Sequence, residues 1–297
     1  MAPTVRYSTF TSYESHVKRH VIPALGDLEL DQIRPQQLNA FYASRTAAGL
    51  SAGTVRRIHA TLRRALRDAV RWGEIGDNPA AGSDPPRVGE IAKFSTWEPE
   101  HVRAFLEAVI GDELEALWVV LATTGLRRGE ALGLKWRDVD LARGTVAIRQ
   151  TVIELGGRAT TSTPKTARGR RVVAIDPYTI DKLRRHTGGS HSDGWVFGNN
   201  EGDVLPPGSI SRRFQAIVAT AGLPRIRLHD LRHTHGTLAL RAGVHPKIVS
   251  ERLGHATVAF TLDVYSHSIP HLQEEAAVKV AALVVPADPA SGSDRSS

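Results

Sequence analysis

The stretch "HDLRHTHG", residues 229–236, packs three histidines, an arginine and an aspartate into eight positions. On a helix, His229 and His233, four apart, share one face, and Arg232, three from His229, lies on the same side. The first spacing belongs to a metal site. The second belongs to an anion grip, because a helix start offers free amides and the positive end of the dipole. A zinc site needs a third ligand, which His235, His245, His255 or His267 would have to supply. Arg232 would set a fixed cation beside that metal, so the anion grip is the better reading and no metal is expected. The helix then runs over 229–242, with Leu231, Leu238 and Ala242 on the opposite, buried side.

Helices with one apolar face and basic residues left over recur upstream. In "TVRRIHATLRRALRDAVRW", residues 54–72, Val55, Ile58, Leu62, Leu66, Ala69 and Val70 form a stripe, and six arginines stand against one acid. Arg56, Arg57, Arg63, Arg64, Arg67 and Arg71 occupy much of the rest, which suits a helix packed on one side and facing phosphate on the other. "TSYESHVKRHVIPALG" reads as an earlier helix ended by Pro23 and Gly26, and "PQQLNAFYASRTAAG" as one opened by Pro35 and closed at Gly49. "GDNPAAGSDPPRVGEIAK", 76–93, holds three prolines and three glycines without periodicity and reads as a linker. Further helices are expected near 98–110, 112–124, 128–134, 177–186, 208–221, 246–253 and 257–266, with a last amphipathic one, "PHLQEEAAVKVAALVV". Strands near 145–152 and 170–176 form a basic hairpin region. The expected fold is mainly α with a small antiparallel sheet. A helical unit (1–78) leads through a linker (79–93) to a mixed α/β unit (94–285) and a disordered tail (286–297).

The chain has 297 residues, 41% of them hydrophobic and 23% charged, enough for two globular domains. It has no cysteine, so disulfides and thiolate ligands are excluded. No apolar run has the ~20 residues of a membrane span, and the start lacks a signal-peptide core, so no membrane association and a cytoplasmic location are expected. A net charge of +7 favours a polyanionic partner. "GLSAG", 49–53, matches the Gly-x-Ser-x-Gly of a hydrolase elbow, but a helix precedes it and Ser51 suits an N-cap instead.

Four more stretches carry chemistry. In "TTGLRRGEALGLKWRDVD", 123–140, Glu130 stands three residues after Arg127 and can hold its guanidinium in a fixed pose. "TPKTARGRRVVAID", 163–176, sets Lys165 in a turn of small residues followed by Arg168, Arg170 and a third arginine. "RLGHATVAFTLDVYSH", 252–267, adds His255 and Tyr265, with Val258, Phe260, Leu262 and Val264 as anchors for the helix that ends in the tyrosine. In "HDLRHTHG", His233 reads as a supporting residue and His235 as packing or surface. A surface ion pair, a solvated lysine and a packed tyrosine would explain each part singly.

Taken in order, the arginine of "TGLRRGE", the lysine of "PKT", the His-x-x-Arg of "HDLRH", "LGH" and the tyrosine of "LDVYSH" resemble the tyrosine recombinase (phage integrase) family over about 140 residues. The helical segment 7–74 resembles that family's core-binding domain, and "GVHPKIVSERLGHATVAFTLDVYSH" is closer in wording to phage-type integrases of actinobacteria than to chromosome-dimer resolvases. The resemblance implies a site-specific recombinase that integrates or excises a mobile element without metal, ATP or other cofactor. It implies that Arg127 and Arg232 bind the scissile phosphate and that Tyr265 attacks it, leaving a 3′-phosphotyrosyl bond. Lys165 would protonate the leaving 5′-oxygen, His229 would assist proton transfer, His255 would hydrogen-bond the phosphate, and Glu130 and His233 would support the cluster. The α-helical arginines with Arg168 and Arg170 would contact double-stranded DNA at a core site, the two domains clamping the duplex.

The resemblance further implies a homotetramer on DNA with exchange of the helix near 271–284, an accessory directionality factor and a nucleoid-associated location. Many phage integrases carry an additional N-terminal arm-binding domain; here the first helix starts almost at once, by nature or by truncation. A type IB topoisomerase would use similar chemistry, and a decayed DNA-binding protein would keep the fold. The intact residue set and the wording of the motifs favour the recombinase.

Overall fold

The computed structural model describes residues 5, 7–89, 95–155, 157–163, 169–187, 194–199, 201–265, 277–278, 280–282 and 284, with backbone alone at 7, 8, 260 and 263–265. The chain divides into two compact units, 1–93 and 94–297.

In the first unit, α1 (Tyr7–His16) passes through a π-helical turn, Val17–Val21, into α2 (Ile22–Leu25). Pro23 therefore does not end the helix as its sequence position suggests. The wider π winding brings a change of register, and Pro23, which lacks an N–H, falls in the first turn of the new α-segment. Next come α3 (Pro35–Ala47) and α4 (Ala52–Trp72). Ser51 caps α4 by accepting from the Thr54 amide at 3.3 Å, and Gly73, with φ 79°, closes it. The stripe Val55, Ile58, Leu62, Leu66 and Ala69 is buried with Leu38, Phe41 and Tyr42 of α3. Each large side chain removed from water there is worth about 1.5–3 kcal/mol.

The segment after α4 is less of a linker than its prolines suggest. Pro79–Gly82 forms a 3-10 turn with Pro79 and Ala80 buried. Asn78 Nδ2 donates to the Arg63 carbonyl at 2.9 Å, and the Asp84 amide donates to Asn39 Oδ1 at 2.7 Å. Residues 79–84 belong to the helical unit.

The second unit is built around α6 (Glu115–Thr124), whose residues 116–122 are all buried, as expected for a helix apolar on every side. Its start falls at 115 because Asp112 Oδ1 accepts from the Leu114 amide and from Trp118 Nε1, which holds 112–114 as a turn. Trp97, Phe105 of α5 (Pro99–Ala108), Trp118 and Phe214 form an aromatic cluster with ring centroids 5.3–6.2 Å apart. After α7 (Arg128–Leu132) come β1 (Val139–Asp140), β2 (Thr145–Ile148), β3 (Thr151–Leu155), β4 (Arg158–Ser162) and β5 (Arg171–Ala174). Strands pair antiparallel in the order β1-β2-β5, with Ile148 opposite Arg171, and β3-β4 form a separate hairpin.

The single strand expected over 145–152 is thus two strands in two sheets. The break falls at Arg149, paired with Asp138 at 2.9 Å, and Gln150, which donates to the Gly133 carbonyl at 3.0 Å. Helices α8 (Pro177–His186), α9 (Pro207–Thr220), α10 (Leu228–Arg241), α11 (Pro246–Leu253) and α12 (Val258–Tyr265) complete the unit, each within two residues of expectation. Among the described residues no helix is long and apolar enough to cross a membrane.

Candidate active site

Two chain reversals create the site. Gly125 ends α6 at φ 65° and Gly254 ends α11 at φ 64°, left-handed positions where an added Cβ would also meet a neighbour within 3 Å. Helix C-termini leave carbonyls without intrahelical partners and carry the negative end of the dipole. Guanidinia fill that need. Arg232 of α10, only 3% exposed, donates through Nη1 to the Gly125 carbonyl at 2.8 Å and through Nη2 to the Leu253 carbonyl at 2.5 Å. Arg127 Nη2 donates to the Gly254 carbonyl at 3.3 Å, and its side chain keeps 41% of its surface in solvent.

Glu130 joins these reversals. It is buried in α7, and Oε1 accepts from Arg127 Nη1 at 2.8 Å, while Oε2 accepts from the Arg127 amide at 3.0 Å. The Arg171 guanidinium covers the same carboxylate edge-on, at 2.8 and 3.1 Å. Burial alone would raise the Glu130 pKa. The hydrogen bonds and charge of Arg171, with the charge of Arg127, overcome it and hold the carboxyl at about 2. Arg252 adds a fourth guanidinium, donating to the Ala174 and Thr123 carbonyls and to His235 Nε2.

The histidines of this region stay neutral at pH 7. His255 is buried, its Nδ1 lies 2.8 Å from Thr261 Oγ1 of α12, and burial followed by the Arg232 and Arg127 charges lowers its pKa to about 3. Partial loss of solvent lowers His233 to about 4, helped by His229, and lowers His229 as well, helped by Arg232 and Arg127. The His229 and His233 rings meet edge to face with centroids 5.1 Å apart. His235 Nδ1 donates to the Ala122 carbonyl at 3.1 Å, which makes it the protonated nitrogen, and burial holds the pKa at about 4. Among the described residues no three histidine or carboxylate side chains converge as a metal site.

Arg127, Glu130, His229, Arg232, His233 and His255 therefore share one electropositive region. Arg170 stands exposed on its rim, in a groove with Lys247, Ser250 and Thr257. Tyr265 is the last residue of α12, which packs against α11 and α10; its side chain lies outside the described residues. Lys165 and Arg168 also lie outside them, as does most of the expected helix 271–284.

Two expectations about packing fail. Ala242 is the exposed C-cap of α10 rather than part of its buried face. On α12, Val258 and Leu262 are exposed, and Thr261, 2.8 Å from His255 Nδ1, is buried. Sequence reasoning also missed Arg171 and Arg252. A signal for Arg171 was present, because the period-2 alternation of β5 puts Arg171, Val173 and Ile175 on the buried side and leaves Val172 66% exposed. The six arginines of α4, in the other unit, are all exposed. Arg56, Arg63, Arg64 and Arg67 line a groove with His59 and Asn78.

A cationic cluster on paired helix ends, with neutral histidines beside it, is chemically suited to an anion such as a phosphate. The phage integrase family model matches residues 98–271 and its N-terminal SAM-like domain matches residues 1–44, and the chain belongs to the phage integrase family. It is 28% identical to a XerC-like tyrosine recombinase of Caldanaerobacter subterraneus, over 89% of this chain and 75% of that one. It is 26% identical to an integrase of Saccharopolyspora erythraea, over 92% and 77%. In fold it is similar to the Tn1549 transposon integrase solved in complex with a circular intermediate DNA, with TM-score 0.81 and 20% identity over 93% and 95% of the chains.

Proposed function

We propose that this protein is a site-specific DNA recombinase that cuts and rejoins strands through a phosphotyrosyl intermediate. The observation that carries the reading is the pair Arg127 and Arg232, anchored on the carbonyl ends of two helices beside neutral His255. A phosphodiester approaching pentavalency gathers charge on its non-bridging oxygens, and guanidinia already held in place stabilise it without reorganising. The Tyr265 oxygen attacks phosphorus, the bond to the 5′-oxygen breaks, and Lys165 delivers a proton to that oxygen. His229, neutral at pH 7, takes up the tyrosine proton. A free phenol has a pKa near 10, so its phenolate costs about 4 kcal/mol at pH 7, which the cationic site offsets. The phosphotyrosyl bond conserves the energy of the broken one, so rejoining needs no ATP, and the guanidinia neutralise charge without a metal ion.

The arginines of α4 serve as phosphate contacts that hold double-stranded DNA and carry no sequence information. On this reading the working form is a tetramer on two duplexes. Exposed Val258 and Leu262 on α12 offer apolar surface for a neighbouring subunit.

The test captures protein-linked strands from a pool of nicked duplexes with a randomised core, which also identifies the recombination site. Wild type should form a covalent adduct stable on a denaturing gel, and Tyr265→Phe should form none. An adduct that survives Tyr265→Phe overturns the mechanism. Adducts that only relax supercoils and never exchange strands point to a topoisomerase, and duplex binding without any adduct points to a decayed DNA-binding protein.

A further inference from the structure

We infer that Arg171 is a positioning residue: it sets the pose of the Arg127 guanidinium, acting through Glu130, without touching the phosphate itself. The inference rests on the reading of Arg127 given above.

Geometry leads to it. Arg171 begins β5 on the buried side of the strand, with only 8% of its side chain in solvent. An unpaired guanidinium there would cost several kcal/mol, so its partners define its task. Nη2 donates to Glu130 Oε2 at 2.8 Å, and Nη1 to Glu130 Oε1 at 3.1 Å and more weakly to the Gly169 carbonyl at 3.4 Å. Nε donates to the Arg252 carbonyl at 2.8 Å. All three nitrogens are therefore engaged by protein oxygens, which leaves Arg171 poorly placed to bind a ligand. Each carboxylate oxygen of Glu130 accepts from both arginines: Oε1 from Arg127 Nη1 and Arg171 Nη1, Oε2 from the Arg127 amide and Arg171 Nη2.

The consequence is directional. Arg127 Nη1 finds its place only where Glu130 Oε1 lies, and Glu130 can rotate about its last torsion unless both oxygens are pinned. A planar bidentate fork does that, and a single ammonium does not. Arg171 also limits the neighbouring turn. A Cβ at Gly254 would stand 2.9 Å from Arg171 Nη1, and the Gly254 carbonyl is the second anchor of Arg127. Both anchors of Arg127 thus rest against Arg171, which bridges β5, α7 and α11.

The test compares Arg171→Lys with wild type on two forms of the captured core site. One carries the natural scissile phosphate; the other carries a methylphosphonate, neutral because methyl replaces one non-bridging oxygen. On the natural site Arg171→Lys should form adduct about 10²-fold more slowly at saturating DNA, the scale of a small misplacement of a catalytic group. Its duplex Kd should stay within about twofold, since exposed contacts dominate affinity. On the neutral site, where Arg127 has less charge to stabilise, the deficit relative to wild type should shrink at least about tenfold.

Adduct formation within about twofold of wild type on the natural site overturns the inference. So does a deficit equal on both sites, which marks a structural role only. Circular dichroism establishes folding first, and if the lysine variant is unfolded, Arg171→Gln, which keeps one donor to Glu130, carries the same comparison. Arg127→Ala is run alongside. If it cleaves the natural site normally, the underlying reading of Arg127 fails, whatever Arg171 does.

Discussion

On α4, Arg56, Arg63 and Arg67 project into solvent, whereas Arg171 and Arg232 in the second unit are buried and bonded to carbonyls and a carboxylate. On the proposed function, the difference separates affinity from catalysis. An exposed guanidinium keeps about 2 kcal/mol of rotamer entropy and acts through a field screened over about 8 Å at physiological salt. It adapts to a phosphate wherever the backbone presents one. A guanidinium fixed on folding has already lost that freedom, so it meets developing charge with no further ordering. The second arrangement demands a specific fold, and the glycine-ended helices α6 and α11 supply it.

The largest effect should come from breaking the fixed set. Arg232→Ala is predicted to slow adduct formation on the core site by about 10³-fold or more, the cost of losing one strong oxyanion donor or a little beyond. Duplex Kd, read by fluorescence anisotropy, should change less than about threefold. If affinity falls in parallel with rate, the separation of the two arginine sets is wrong.

Removing the carboxylate should be felt next, in stability. Glu130 has its pKa held at about 2 against 4.5 for the free group. A depressed acid contributes stability that is present above its unfolded pKa and disappears as pH falls through the folded one. The contribution is therefore full above pH 4.5 and lost between 4.5 and about 2, and amounts to about 3 kcal/mol. Glu130→Gln should lower the unfolding free energy at pH 7 by about that much, measured by denaturant titration, and flatten its slope below pH 4.5. A wild-type slope retained in the variant would mean another carboxylate carries it.

His235 gives a smaller effect in a different window. Burial and the Arg252 charge hold its pKa at about 4 against 6.5. A histidine kept neutral stabilises the fold above pH 6.5 and loses that contribution as pH falls towards 4. Between pH 7 and 5 the loss is about 2 kcal/mol for this one group, at about 1.4 kcal/mol per pH unit below 6.5. His235→Gln should remove that part of the acid sensitivity. Unfolding curves for the two proteins that stay parallel from pH 7 to 5 would place the titrating group elsewhere.

These sites were unequally legible in the sequence. Helix positions came through because apolar stripes at 3.6 spacing and end signals such as Pro35 and Ser51 act locally. The family motifs gave Arg127, Glu130, Arg232 and His255 as candidates, and the structure puts them together. Arg171 was readable in principle: it alternates with Val173 and Ile175, but a run of basic residues masked the period. The hairpin β3-β4 was missed: only its first two residues fell inside the strand expected over 145–152, and 153–162 were given no strand. What no local pattern carried is the use of helix-end carbonyls as anchors. Gly125 and Gly254 present backbone oxygens to Arg232 and Arg127 across more than 100 residues, Leu253 presents one to Arg232 from 21 residues away, and such acceptors have no side-chain signature.

The weakest effects should come from single changes on α4, and they test whether its arginines form one uniform surface. Two rows run along the helix. Arg56, Arg63 and Arg67 border the groove with Asn78, and Arg57, Arg64 and Arg71 lie one residue round, with Arg64 also reaching the groove. Within the second row Arg71 is partly occupied, 3.4 Å from Asp68 and 5.8 Å from the Trp72 ring centre. Each free phosphate contact contributes about 0.9 to the slope of log Kd against log salt. Arg63→Ala should therefore reduce that slope by about 0.9 and weaken duplex binding a few-fold, equally for specific and random sequence. Arg71→Ala should change the slope by less, because Asp68 already offsets part of its charge. Titrations of both variants from 50 to 200 mM salt (about the range where such contacts tell) decide it. Equal slopes for Arg63→Ala and Arg71→Ala would show that the ion pair opens on DNA and that all six arginines act alike. A slope unchanged by Arg63→Ala would remove this row from the DNA interface.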